Sequence, residues 1–182
     1  MPGSDRTVRS EHTLVIAKPD ALRRGLVGAI IHRFEEKGLT LRAITLVTAD
    51  AAQIRENYRA NEDEPWFDEL VSYMTSGPIV PMAWQGPNAI ETGRQIIGDK
   101  DPWESDSGSL RGRYAADPIR TVVHGSRDPV EALREINLWF PELLGVEQRP
   151  APKPKAFVPL GLPRALSMPP VTLKRYAARG ER

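Results

Sequence analysis

Five β-branched or apolar residues in a row, Thr13 to Ala17, run into Lys18-Pro19-Asp20 and predict a strand that stops at a proline. From Leu26 to Lys37 the period changes. Val27, Ile30, Ile31 and Phe34 fall at i, i+3, i+4 and i+7, the apolar face of a helix that Gly38 ends. Leu39 to Thr48 alternates, Leu39, Leu41 and Ala43 against Thr40 and Arg42, and predicts a second strand. Two short helices follow, Ala51 to Ala60 and Pro65 to Met74, then a turn at Ser76-Gly77-Pro78. Ile79 to Trp84 is a third strand, and Asn88 to Ile97 a helix closed by Gly98.

Residues 98–118 have no period and contain Asp99, Asp101, Pro102, Ser105, Ser107, Gly108 and Pro118. A polar loop of about 20 residues inside a compact domain is uncommon, and ordered loops of that length are often functional. Ile119 to Val123 predicts a short strand that runs into His124-Gly125-Ser126. Asp128 is placed to cap the next helix, with Pro129 first and Glu131 in the first turn. Four strands with helices between them predict an α+β sandwich of the split βαβ, ferredoxin-like kind.

Composition divides the chain in two. Residues 149–182 hold eight Lys and Arg against Glu181 alone, a charge of +7, which leaves −6 on residues 1–148 out of a total of +1. The same tail holds seven of the 17 prolines, a composition that buries little and favours extended chain. The expected organisation is a disordered lead over 1–10, a domain over 11–148 and a Pro-rich basic extension over 149–182. The absence of Cys excludes disulfides, thiolate metal sites and a Cys nucleophile. No apolar run approaches the roughly 18–20 residues of a membrane span, and Met1 to Glu11 has no apolar signal core. A soluble, cytoplasmic protein is expected, with no membrane contact.

No GxxxxGK[ST] loop, GxGxxG turn or GxSxG elbow is present. Of the three His, His12 at a strand start and His32 in a helix read as surface or half-buried side chains, so a His-rich metal site is not expected. His124 stands where an apolar strand meets Gly125 and Ser126. A strand end holds a side chain rigidly, Gly admits a ligand, and a neutral imidazole is a good nucleophile near pH 7. By position alone it reads more readily as a structural histidine than as a catalytic one. Lys18 alone reads as a strand-edge residue, and Arg94 and Arg111 alone as surface cations.

The order of short motifs changes that weighting. Lys18-Pro19-Asp20, Arg24-Gly25-Leu26-Val27-Gly28, Lys37-Gly38, Ser76-Gly77-Pro78, Thr92-Gly93-Arg94, Arg111-Gly112, His124-Gly125-Ser126 and Glu135-Ile136 with Leu138-Trp139-Phe140 occur in sequence. Over residues 11–143 the chain resembles the nucleoside diphosphate kinases, including the eleven-residue step from His124 to Glu135. The resemblance implies a four-stranded antiparallel sheet covered by helices. It implies that His124 takes the γ-phosphoryl group of a nucleoside triphosphate and passes it to a nucleoside diphosphate. Glu135 would orient the imidazole and Ser126 would bond Glu135. Lys18, Arg94 and Arg111 would bind phosphate, with Tyr58 helping to place Lys18. The base would stack on Trp66 with Leu70 at its edge. Mg²⁺ would enter on the nucleotide phosphates with no direct protein ligand. A homo-oligomer of four or six subunits is also implied.

The chain departs from the family's usual pattern at four places. Thr121 stands where an Asn usually contacts the ribose. Arg127 replaces an Asp near the Mg²⁺ shell, Lys100 a phosphate-contacting Thr, and Arg113 an Asp after Arg-Gly. These changes keep open a second reading, a catalytically weakened member that binds nucleotides or partners as a module. The basic tail keeps open a third, a non-enzymatic nucleic-acid binder or a weak polyanion contact, although only Phe157 and Tyr176 could stack on bases there.

Overall fold

The structure is a computed structural model that describes residues 10–144. The expected extension at 149–182, and the expected lead apart from Ser10, lie outside the described residues. The strands are β1 (Ser10–Ala17), β2 (Thr40–Ile44), β3 (Val80–Pro87) and β4 (Val123–Gly125). They form one antiparallel sheet in the order β2-β3-β1-β4, the ferredoxin-like arrangement expected. The helices are α1 (Pro19–Arg23), α2 (Val27–Glu36), α3 (Ala51–Asn57), α4 (Phe67–Met74), α5 (Ala89–Ile97), α6 (Leu110–Tyr114), α7 (Pro129–Trp139) and α8 (Pro141–Leu144). No helix among the described residues is long and apolar enough to cross a membrane.

The continuous apolar run of β1 follows from its central place. Successive side chains point to opposite faces, and both faces are covered. Val15 and Ala17 pack with Ile30 and Phe34 of α2, Trp84 of β3 and Ile97 of α5. Leu14 and Ile16 pack on the other side with Ile54 of α3, Phe67 and Met74 of α4 and Ile136 of α7. The sheet is thus sandwiched, and the ends of β1 and β4 emerge between the two layers.

Three elements differ from the sequence reading. The strand expected over Ile119 to Val123 forms only from Val123 onward. Val122 has φ +57, and the Val123 N–H donates to Thr121 O at 2.6 Å, so the chain turns tightly before it pairs with β1. His124 therefore lies within the paired strand, opposite Ile16. The loop at 98–118 contains α6, whose five residues are too few to show a period. Ser109 caps it by accepting the Gly112 N–H at 3.1 Å. Gly112 is required there, because a Cβ would lie 2.1 Å from Asp106 O. β2 is shorter than the alternation at Leu39 to Thr48: regular pairing ends at Ile44, after a register shift between Leu41 and Ala43, and resumes only as an isolated bridge between Val47 and Ile79.

Candidate functional site

The C-terminal end of β1 and the start of β4 place Lys18 and His124 together. α7 follows β4 after a cap in which Asp128 Oδ1 accepts the Glu131 N–H at 2.9 Å, as the sequence predicts. Its second turn brings Glu135 back beneath His124. Glu135 Oε1 lies 2.9 Å from His124 Nε2, and Glu135 Oε2 accepts from Ser126 Oγ at 2.7 Å. Ser126 Oγ accepts in turn from the Leu14 N–H at 2.9 Å, which fastens the array to the central strand. Glu135 and Ser126 are each 1% exposed, so both carboxylate oxygens are bonded in a dry setting. His124 Nδ1 has no hydrogen-bond partner among the described residues.

Tyr58 closes one side of the imidazole in an edge contact, with ring centroids 4.9 Å apart. Its hydroxyl is buried without a partner. Burial and the nearby Glu135 push its pKa well above the usual phenol range, so it remains a protonated donor. Arg134 of α7 donates to Glu56 O and, at 2.9 Å, to Asn57 O, the last carbonyls of α3, and Trp139 Nε1 donates to Asn57 Oδ1 at 2.7 Å. These contacts tie the helix that bears Glu135 to the one that leads into Tyr58.

The cations surround this centre. Arg111 donates to Gly98 O and Val123 O, each at 3.2 Å, while its Nε is buried without a partner. Burial, with Arg94 adding repulsion, lowers its pKa to about 10, still fully charged at neutral pH. Lys18 is 5% exposed, and its ammonium donates to Thr121 Oγ1 at 2.8 Å and to Ile119 O at 3.1 Å. Burial and the repulsion of Arg111 lower its pKa to about 7, against the pull of Asp20 and Asp117. Asp20 itself accepts from the Tyr73 hydroxyl, and its other oxygen is buried and unpaired. Unpartnered donors and crowded cations are what a bound polyanion would satisfy.

The remaining sequence candidates are spread more widely. Arg94 of α5 is exposed but lies close enough to act on Arg111. Lys100 is exposed in the loop before α6. Trp66, at the start of α4, is 38% exposed, whereas Leu70 one turn on packs into the core with Ile54 and Phe67. Thr121 is buried against Lys18. Arg127 is exposed and pairs with Asp128 at 3.2 Å and Glu131 at 3.1 Å. Among the described residues no three His, Asp or Glu side chains gather to hold a metal ion.

Pattern reading missed Leu14, Arg134 and the Asp20–Tyr73 pair. Leu14 acts through its backbone and leaves no trace in sequence. Arg134 had one signal, a basic residue beside Glu135 on a helix whose other face is apolar.

Residues 11–143 match the family described as Nucleoside diphosphate kinase. The chain is 48% identical over 132 residues to Nucleoside diphosphate kinase B of Flaveria bidentis, covering 72% of this chain and 89% of that one. It is 47% identical over 135 residues to Nucleoside diphosphate kinase of Mycobacteroides abscessus, covering 74% and 99%. Among solved structures, the Aquifex aeolicus nucleoside diphosphate kinase superposes with a TM-score of 0.71 at 34% identity, over 72% of this chain and 96% of that one. The Encephalitozoon cuniculi enzyme superposes at 0.70 with 38% identity, over 71% and 88%.

Proposed function

This chain belongs to the nucleoside diphosphate kinase family and moves the γ-phosphate of a nucleoside triphosphate to a nucleoside diphosphate, and we propose that it does so in two steps through a phosphohistidine at His124. The observation that carries the reading is the bonded line Leu14–Ser126–Glu135–His124. With Nε2–H donated to Glu135, the imidazole lone pair sits on Nδ1. That nitrogen attacks the γ-phosphorus, the bond to the β–γ bridging oxygen breaks, and the diphosphate leaves with the electron pair. Glu135 balances the positive charge on the ring, as a buried carboxylate does for a triad histidine. In the second step a terminal β-phosphate oxygen of the acceptor attacks the same phosphorus, and the N–P electrons return to Nδ1. No net proton is consumed.

Phosphoryl transfer has a loose transition state, so fixed positive charge and positioning supply most of the acceleration. Lys18, Arg94 and Arg111 take the phosphate oxygens in this reading, and the Tyr58 hydroxyl and Arg111 Nε gain the acceptors they lack. Mg²⁺ belongs to the nucleotide substrate and neutralises phosphate charge. The domain spans 11–148, acts in the cytoplasm and assembles as a homo-oligomer of four or six subunits. The binding-module alternative is not favoured by relatives that carry the enzyme's name. The nucleic-acid reading rests on a tail outside the described residues.

Initial-rate kinetics with both substrates varied should give parallel double-reciprocal lines. Intersecting lines would mean direct transfer in a ternary complex and would remove the covalent step. Glu135→Gln should lower kcat by about 10²- to 10⁴-fold, because Gln cannot balance the ring charge. Unaltered kcat in a folded Gln variant would take Glu135 out of the reaction. Trp66→Ala should weaken every nucleoside diphosphate by a similar amount, about 1–3 kcal/mol by calorimetry, since each base has a face to stack. Unchanged affinities would place the base elsewhere.

A further inference from the structure

An ammonium has three N–H donors. Lys18 spends one on Thr121 Oγ1 at 2.8 Å and one on Ile119 O at 3.1 Å. The third has no protein acceptor among the described residues. Thr121 is 2% exposed, so its hydroxyl lies beneath Lys18 and away from solvent. The backbone around it is unusual. Val122, a β-branched residue, sits at φ +57, and the Val123 N–H closes the turn on Thr121 O at 2.6 Å. The Lys18 N–H donates to Val122 O at 2.9 Å. One tight turn thus grips Lys18 by both its backbone and its side chain. A left-handed β-branched residue persists only where its surroundings enforce it, and here they hold the Thr121 hydroxyl against the ammonium.

We infer that Thr121 is a positioning residue for the ammonium of Lys18, aiming its third donor at the nucleotide phosphates, and that it does not act as a contact to the sugar. The inference rests on the reading of Lys18 as a phosphate-binding cation. It also gives the departure from the family's usual Asn a physical content. A short hydroxyl fits under a buried ammonium and accepts from it without reaching the cleft. The charged groups acting on Lys18 are Arg111 from α6, which opposes its charge, and Asp20 and Asp117, which favour it. Burial opposes the charge most, so an acceptor fixed at 2.8 Å also helps to keep the proton on.

The test is a double-mutant cycle between Lys18→Met and Thr121→Val, followed by kcat/KM against pH. Thr121→Val should lower kcat/KM by about 10- to 100-fold, the scale of a hydrogen bond to a charged group. The loss should be equal for a nucleoside diphosphate and its 2′,3′-dideoxy analogue. The alkaline limb of the profile should move to lower pH, Thr121→Ser should restore it, and Thr121→Val should add nothing in the Lys18→Met background. An unmoved limb, a loss confined to the ribose substrate, or an undiminished loss without Lys18 would each overturn the inference. If Lys18→Met alone leaves kcat/KM intact, the phosphate-binding role of Lys18 fails first and the inference falls with it. Should Thr121→Val not fold, Thr121→Ala takes its place in the cycle.

Discussion

Replacing His124 with Ala should lower phosphoryl transfer by about 10⁴-fold or more while leaving the fold in place. The size of the loss follows from the chemistry. Without the imidazole no group at the site can take the phosphoryl covalently. The Ser126 hydroxyl is buried, accepts from the Leu14 N–H and donates to Glu135. The fold survives because β4 pairs with β1 through backbone groups, and Glu135 keeps its bond to Ser126. Residual transfer by direct attack of one nucleotide on another is slow, because that reaction needs two polyanions side by side among the same cations. Steady-state transfer from ATP to a diphosphate, with thermal melting as the control, measures it. Activity within ten-fold of the native protein would show that His124 is not the acceptor.

Lys18→Met should act in opposite directions on activity and stability. Removing a preorganised cation from a phosphoryl-transfer site costs about 10²- to 10³-fold in rate. The same ammonium is a burden on the folded chain. Its pKa falls from 10.5 to about 7 on burial, which corresponds to roughly 5 kcal/mol. Above pH 10.5 the amine is neutral in both states and the penalty vanishes. Between about pH 7 and 10.5 the unfolded chain holds a proton that the folded chain has lost, so native stability rises with pH. Below pH 7 both states are protonated and the full penalty applies. The Met variant lacks this slope. Its stability relative to the native protein should be greatest below pH 7 and decline as pH rises toward 10.5. Parallel stability curves for the two proteins across that range would contradict the burial argument. On the proposed role of Lys18, a bound phosphate would supply the missing negative charge, an exchange of stability for affinity.

The pairing of His124 with Glu135 was legible in sequence through the family resemblance. His124 and Glu135 stand eleven residues apart, and a strand, a capped turn and two turns of helix bring them to 2.9 Å. The Asp128 cap and Pro129 marked where that helix begins. The run Thr13 to Ala17 marked a strand, and its apolar character fits the covering of both faces that the structure shows. What stayed hidden depends on backbone shape or tertiary partners. Nothing in the letters of Val122 signals a left-handed residue, so the strand before His124 was placed too early. The five residues of α6 are fixed by the Ser109 cap and the close approach at Gly112, neither of which has a period. Thr121 stands where the resemblance puts an Asn against the sugar, and its hydrogen-bond partner in the structure, Lys18, lies 103 residues away in sequence. Arg127, which stands where the resemblance puts an Asp near the Mg²⁺ shell, pairs with Asp128 and Glu131 at the head of α7.

The proposed two-step transfer requires a covalent phosphoryl group at His124. Incubation with ATP labelled in the γ-phosphate, removal of nucleotide and isolation of the protein tests it directly. The prediction is a protein-bound label that is lost in acid, stable in base, mapped to the peptide containing His124, and discharged by a nucleoside diphosphate as labelled triphosphate. Label that survives acid, that persists in the His124→Ala protein, or that a diphosphate fails to remove would contradict it.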